Sequence, residues 1–62
     1  MTTEAETFRA RADAEAALAA QSDLANVRDR HLRSQAAWEA MATRSERVAT
    51  QRARNEAAKA AG

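Results

Sequence analysis

The chain of 62 residues contains no cysteine and no proline, and its only glycine, Gly62, is the last residue. Without cysteine it has no disulfide framework and no thiolate metal site, and a single histidine, His31, does not make a structural zinc site. Without proline or an internal glycine, nothing in the sequence forces a helix to break. The only two aromatic residues, Phe8 and Trp38, leave few large side chains for a core.

Motifs that carry chemistry are also missing from the sequence. It has no glycine-rich phosphate loop, no cluster of metal ligands and no nucleophile beside a base, so we expect no enzymatic activity, no metal and no cofactor. No stretch approaches the roughly 20 apolar residues of a membrane span, and the acidic start of the chain does not resemble a secretion signal. We therefore predict a cytoplasmic protein without a membrane contact or a small-molecule ligand.

The composition that remains is typical of helices. Nineteen residues are alanine, and most of the others are arginine, glutamate, glutamine, leucine and methionine, which are all strong helix formers. Nine arginines against one lysine, together with so much alanine, indicate a GC-rich and therefore bacterial coding sequence. The net charge is +1, but residues 1–24 carry a net charge of −3 and residues 25–62 a net charge of +4. This asymmetry favours either an acidic partner or association of opposite halves of two chains.

The first helix is predicted over residues 3–21. Thr3 followed by Glu6 matches a capping box, in which each residue's side chain bonds the other's backbone N–H. An apolar or small-residue stripe then recurs at alternating steps of three and four, which is the spacing of one helix face. Its members are Ala5, Phe8, Ala12, Glu15 and Ala19.

A second stripe predicts a second helix over about residues 26–57. Its members are Leu24, Val27, His31, Ser34, Trp38, Met41, Ser45 and Val48. On one continuous helix Trp38 would lie about 120° around from Phe8, so a turn must separate the two stripes. Residues 22–25 are the predicted turn because serine, aspartate and asparagine cluster around them, with Asn26 the expected N-cap of the second helix and Ser22 and Asp23 as rivals.

Folding the chain back at Asp23 brings the two stripes together as an all-α antiparallel two-helix hairpin that forms a single domain. Phe8 then meets Trp38, and Glu15 meets His31. The predicted seam consists of Phe8, Ala12, Glu15, Ala19, Val27, His31, Ser34 and Trp38. The second helix is longer than the first, and we expect residues 58–62 to fray because nothing large and apolar follows Val48. A second capping-box pattern at Thr43 leaves open a break there and a third short helix.

So small a core favours oligomerisation or docking on another protein. The candidate interaction surface comprises Leu32, Trp38, Met41 and Val48 with Arg44 and Arg47. We predict a non-enzymatic helical protein–protein interaction module, which works as a homodimer or by laying a helix face against another protein. The alternative is a small nucleic-acid-binding regulator that uses the arginines of the second helix. We do not expect that activity, because acidic residues interrupt the basic run and aromatic residues for base stacking are missing.

The segments Asn26-Val27-Arg28-Asp29-Arg30-His31-Leu32-Arg33-Ser34 and Ala37-Trp38-Glu39-Ala40-Met41-Ala42 resemble a stretch in short uncharacterised proteins of alpha-proteobacteria. The resemblance covers about residues 24–48. It implies a small helical hairpin and no known activity, and it assigns no functional residue. It also implies that Asn26, His31 and Trp38 belong to one pattern.

Overall fold

The computed structural model describes residues 2–62, which form two α-helices. Helix α1 spans Glu4–Gln21 and helix α2 spans Ala25–Ala61. The two helices pack against each other, and no strand occurs among the described residues. The all-helical two-helix fold predicted from the sequence is therefore confirmed.

Helix α1 begins with the capping box that the sequence predicts. The Thr3 hydroxyl accepts a hydrogen bond from the backbone N–H of Glu6 at 3.1 Å, and the Thr3 backbone N–H donates to the Glu6 carboxylate at 3.4 Å. Glu4 and Glu6 also place negative charge in the first turn, at the positive end of the helix dipole. These contacts satisfy N–H groups that would otherwise lack a partner at the start of the helix.

The turn between the helices is short and begins at Ser22. The Ser22 hydroxyl donates to the carbonyl oxygen of Leu24 at 3.2 Å, and the Arg28 guanidinium donates to the carbonyl oxygen of Ser22 at 3.0 Å. The expected N-cap at Asn26 is wrong. Helix α2 already begins at Ala25, after Leu24 in an extended conformation, and no side chain caps it. The side chains of Ser22 and Arg28 instead bond the carbonyl groups of the turn itself.

Helix α2 continues without a break through Thr43 to Ala61, so a third helix starting near that residue is wrong. A capping residue must leave the helical conformation, and the strong helix formers around Thr43 do not favour that. The helix also runs four residues beyond the predicted end at 57. Alanines dominate its last turn, and Lys59 lies at the negative end of the helix dipole. Fraying of residues 58–62 stays a prediction.

The core of the molecule consists of alanine. Ala12, Ala19 and Ala42 are the only fully buried hydrophobic residues among residues 2–62, with exposures of 2%, 3% and 0%. None of the larger apolar side chains is fully buried. Phe8, Val27 and Trp38 are half-buried, and the exposed ones are Leu18, Leu24, Leu32, Met41 and Val48. Small residues on both helices allow their backbones to approach closely, but they bury little apolar area.

Helix α2 is about twice as long as α1, with 37 residues against 18. At 1.5 Å per residue its length is about 55 Å, which accounts for the 57 Å long dimension of the molecule. All side chains of residues 46–62 are exposed. The last 16 residues of α2 thus form an exposed overhang (residues 46–61), which α1 meets only near its beginning, at Glu46.

Candidate functional site

Two contacts expected from the sequence hold the centre of the helix interface. The rings of Phe8 and Trp38 lie with their centroids 5.8 Å apart and their planes tilted by 31°, within the range of favourable aromatic pairs. Seven residues away on each helix, which is about two turns, Nδ1 of His31 lies 2.6 Å from the Glu15 carboxylate. Both side chains are mostly shielded from solvent. Phe8 precedes Glu15 on α1, whereas its partner Trp38 follows His31 on α2.

None of the eight residues of the predicted seam is exposed. Ala12 and Ala19 are buried, and the others are half-buried: Phe8, Glu15, Val27, His31, Ser34 and Trp38. No buried side-chain polar atom among the described residues lacks a hydrogen-bond partner. Among the seam residues, Glu15 and His31 form the one polar pair that joins the two helices.

Two further contacts between the helices involve arginines that the sequence analysis did not assign. Arg9 forms an ion pair with Glu46, and both side chains are about half exposed, with exposures of 51% and 50%. The guanidinium of Arg11 lies 5.9 Å from the centroid of the Trp38 ring, a cation–π distance. Neither pair has a signature in local spacing, because 37 and 27 residues of sequence separate the partners.

The buried stripe of α2 departs from the predicted one near Trp38. The sequence pattern continues from Trp38 to Met41, but the structure buries Ala42 completely and leaves Met41 43% exposed. A pattern with a period of 3.5 residues drifts by about 20° per heptad on a helix of 3.6 residues per turn. Because α2 has 3.6 rather than 3.5 residues per turn, the residues that face α1 after Trp38 are Ala42 and Ser45. Met41 lies at the margin of the interface.

The residues of the candidate interaction surface do not share one face. Leu32, Met41 and Val48 are each exposed by 43–46%. Leu32 and Met41, however, are nine residues apart on one helix, which places them about 180° from each other. Trp38 lies against Phe8 in the helix interface. Arg44 lies one turn from both Met41 and Val48, whereas Arg47 points to a different side of α2.

Met41 and Val48 instead line an open groove at the end of the hairpin, where α1 begins and α2 continues past it. We call it the terminal groove. Its apolar lining comes from Ala5 and Phe8 of α1 and from Met41 and Val48 of α2. Its volume is about 770 Å³ and it is broadly open to solvent. Sequence reasoning missed this groove because it depends on where the shorter helix starts relative to the longer one.

The charged side chains around the terminal groove carry both signs. Glu4 and Glu46 contribute carboxylates, and Arg44 and Arg52 contribute guanidinium groups. Apolar lining between charges of opposite sign is chemistry suited to another protein surface rather than to a small polar ligand.

The described residues contain no group of three or more metal-ligating side chains. Neither α1 nor α2 combines the length and apolar character needed to cross a bilayer. Comparison of the chain with protein-family models, with curated proteins and with solved structures finds no match.

Proposed function

We propose that this chain is a non-enzymatic protein–protein interaction module of the cytoplasm, built as an antiparallel helical hairpin that associates with a second copy of itself. The order of the contacts supports the antiparallel arrangement, because Glu15 pairs with His31 and the earlier Phe8 pairs with the later Trp38. The observation that carries the proposed function is the terminal groove, which exposes apolar side chains that a single hairpin cannot cover.

The energetics of the hairpin favour such an association. Only three alanines are fully buried among residues 2–62, so one copy gains little from its core. A domain of this size rarely gains more than about 3–5 kcal/mol from a single hydrophobic core. A standard dimer interface removes about 800 Å² from each partner, roughly a sixth of the 5024 Å² surface of this chain. Burial of Met41, Val48 and the rim of Phe8 would supply part of that area.

The charges around the groove favour a second copy as the occupant. Dimers with twofold symmetry place the same surface patch of both copies face to face. If one residue of the first copy contacts a second residue of the other copy, the reverse contact also forms. Glu4 and Glu46 on one copy can then lie opposite Arg44 and Arg52 on the other. A groove lined by one sign of charge would repel its own copy, and this groove is not of that kind.

The test compares two substitutions of matched character, Met41→Glu and Leu32→Glu. Both replace a large apolar residue of similar exposure, 43% and 46%, on the same helix. Only Met41 lies in the terminal groove. Sedimentation of the purified chain across a range of concentrations measures self-association, and circular dichroism establishes that each variant is still helical.

We expect the wild-type chain and Leu32→Glu to form dimers as the concentration rises, and Met41→Glu to stay monomeric. A wild-type chain that stays monomeric and folded at every concentration would refute self-association. Dissociation of Leu32→Glu to the same extent as Met41→Glu would show that the groove is not the interface.

A further inference from the structure

The continuous α2 helix separates charges that are mixed in the sequence. Around its axis, at about 100° per residue, Glu39, Glu46 and Glu56 lie about 120–140° away from the direction shared by most of its arginines. Only Asp29, of the acidic residues in α2, falls on the basic side. The sequence led us to expect that acidic residues would interrupt the basic run, but on one unbroken helix they lie largely on another face.

The arginines form a stripe along the outer side of α2, which we call the arginine stripe. It follows alternating steps of three and four residues and contains no acidic and no large apolar side chain. Its members are Arg30, Arg33, Ala37, Ala40, Arg44, Arg47, Gln51 and Arg54, and all of them are exposed. From Arg30 to Arg54 the stripe is about 36 Å long.

The middle of the arginine stripe lies about 140° around α2 from the interface residues, so most of its members point away from α1. Arg44 lies at the edge of the stripe and also lines the terminal groove. No arginine of the stripe takes part in an ion pair within residues 2–62, where the two such contacts are Arg9–Glu46 and Glu15–His31. The spacing of Asp29 and Arg33 permits a helix ion pair, but that pair is not formed either. Five guanidinium groups are therefore available to an external anion.

We infer that the arginine stripe binds the phosphate backbone of double-stranded DNA, with α2 lying in the major groove. A helix with its side chains is about 10–12 Å across, and the major groove of B-form DNA is about 12 Å wide. Guanidinium groups bind phosphate oxygens through two parallel hydrogen bonds. Ala37 and Ala40 sit between the two arginine pairs and are small enough to let the helix approach the floor of the groove.

The stripe also carries a side chain that recognises base edges. Gln51 donates a hydrogen bond to the side-chain oxygen of Asn55 at 3.1 Å, and the two amides lie on the arginine side of α2. Amide side chains pair with adenine in the major groove and arginine pairs with guanine. The overhang holds this amide pair together with Arg54, where α1 does not obstruct the approach of a duplex.

Other anionic partners fit this surface less well. A membrane-surface helix inserts an apolar face, and the arginine stripe has no large apolar member. The major groove of double-stranded RNA is too narrow for side chains to read, so an RNA duplex offers α2 no comparable binding groove. The stripe is exposed along its length of about 36 Å, close to the roughly 34–36 Å of one helical turn of DNA. It winds around α2 by about 20° per heptad.

The experiment measures fluorescence anisotropy of a labelled DNA duplex of roughly 20 base pairs, about 68 Å long, titrated with the full chain at several salt concentrations. The variant Arg47→Gln/Arg54→Gln removes two charges from the stripe, at residues that do not line the terminal groove. The matched control Arg9→Gln/Arg28→Gln removes two charges elsewhere, since Arg9 lies on α1 and Arg28 on the other side of α2. Circular dichroism verifies that both variants are helical. An RNA duplex of the same sequence and a polyglutamate peptide serve as competing anions.

If all five arginines contact phosphates, the logarithm of the binding constant falls with the logarithm of salt concentration with a slope of about −4.5. We expect Arg47→Gln/Arg54→Gln to reduce that slope to about −2.7 and to weaken binding at least tenfold at about 0.1 M salt. The control variant should bind within about threefold of the wild-type chain, because its lost charges lie off the stripe. Absence of DNA binding, equal loss in both variants, or equal binding of the RNA duplex or polyglutamate would each overturn the inference.

Discussion

The close approach of the two helices depends on the small size of Ala12, and Ala12→Leu tests this directly. Ala12 is 2% exposed and lies at the middle of α1. One turn before it Phe8 contacts Trp38, and one turn after it Glu15 bonds His31. A leucine at this position adds three carbon atoms where no solvent-accessible space exists, so the helices must separate or the new side chain must adopt a strained rotamer.

Two opposing effects decide how much Ala12→Leu changes the free energy of unfolding. If the leucine were accommodated without strain, its burial would stabilise the fold by about 2.4 kcal/mol, at roughly 0.8 kcal/mol per buried carbon. Insertion of extra carbons into a closely packed interface instead destabilises a protein by a net of about 1–3 kcal/mol, which already includes any gain from burial. We expect the cost to dominate, because separation at Ala12 also loosens the contacts of Trp38 and His31 on either side. A loss of about 1–3 kcal/mol is a large share of the roughly 3–5 kcal/mol that a core of this size supplies.

The assay is thermal unfolding followed by far-ultraviolet circular dichroism at one fixed protein concentration, since self-association would shift the midpoint. A loss of 1 kcal/mol lowers the midpoint of so small a domain by about 4–8 °C. The matched control is Ala10→Leu, which makes the same change at an exposed position of α1 and should alter stability by less than about 0.5 kcal/mol. An Ala12→Leu midpoint equal to or above that of Ala10→Leu would refute the close-packed alanine interface.

Three further substitutions probe the other contacts by the same unfolding assay. Thr3→Ala removes the capping box and should cost about 0.5–2 kcal/mol, whereas Thr2→Ala, outside the cap, should change almost nothing; equal effects would contradict the cap. Glu15→Ala leaves the shielded imidazole of His31 without its partner and should cost about 1–3 kcal/mol; a neutral result would mean that water replaces the carboxylate. Trp38→Ala should cost about 2–3 kcal/mol, somewhat less than for a fully buried ring, and an unchanged midpoint would show that this residue is not structural.

Much of the fold was predictable because it depends on local signals. The capping box at Thr3 and the polar cluster after Gln21 mark the start of α1 and the turn, and both act over a few residues. The contacts of Phe8 with Trp38 and of Glu15 with His31 followed from placing two helical stripes face to face. It was harder to predict which residues of the second stripe face α1. The spacing is compatible with either Met41 or Ala42, and only packing against α1 decides which of them is buried.

The candidate site was the least predictable feature. The terminal groove arises because α1 begins near residues of α2 that are far away in the sequence, and no spacing pattern encodes that juxtaposition. The apparent surface of Leu32, Met41 and Val48 failed for a related reason. Exposure of each residue was expected, but only a continuous helix fixes the angle that separates Leu32 from Met41.

The sequence by itself determined that the chain is helical and that it turns once, because alanine content, caps and polar clusters act through the backbone of neighbouring residues. It also determined that the core would be small, since it offers few large apolar side chains. Only the tertiary structure decided that Ala42 rather than Met41 is buried, that Arg9 reaches Glu46, and that α2 passes Thr43 unbroken. These features depend on the relative placement of two helices, which is set by packing between residues distant in the chain.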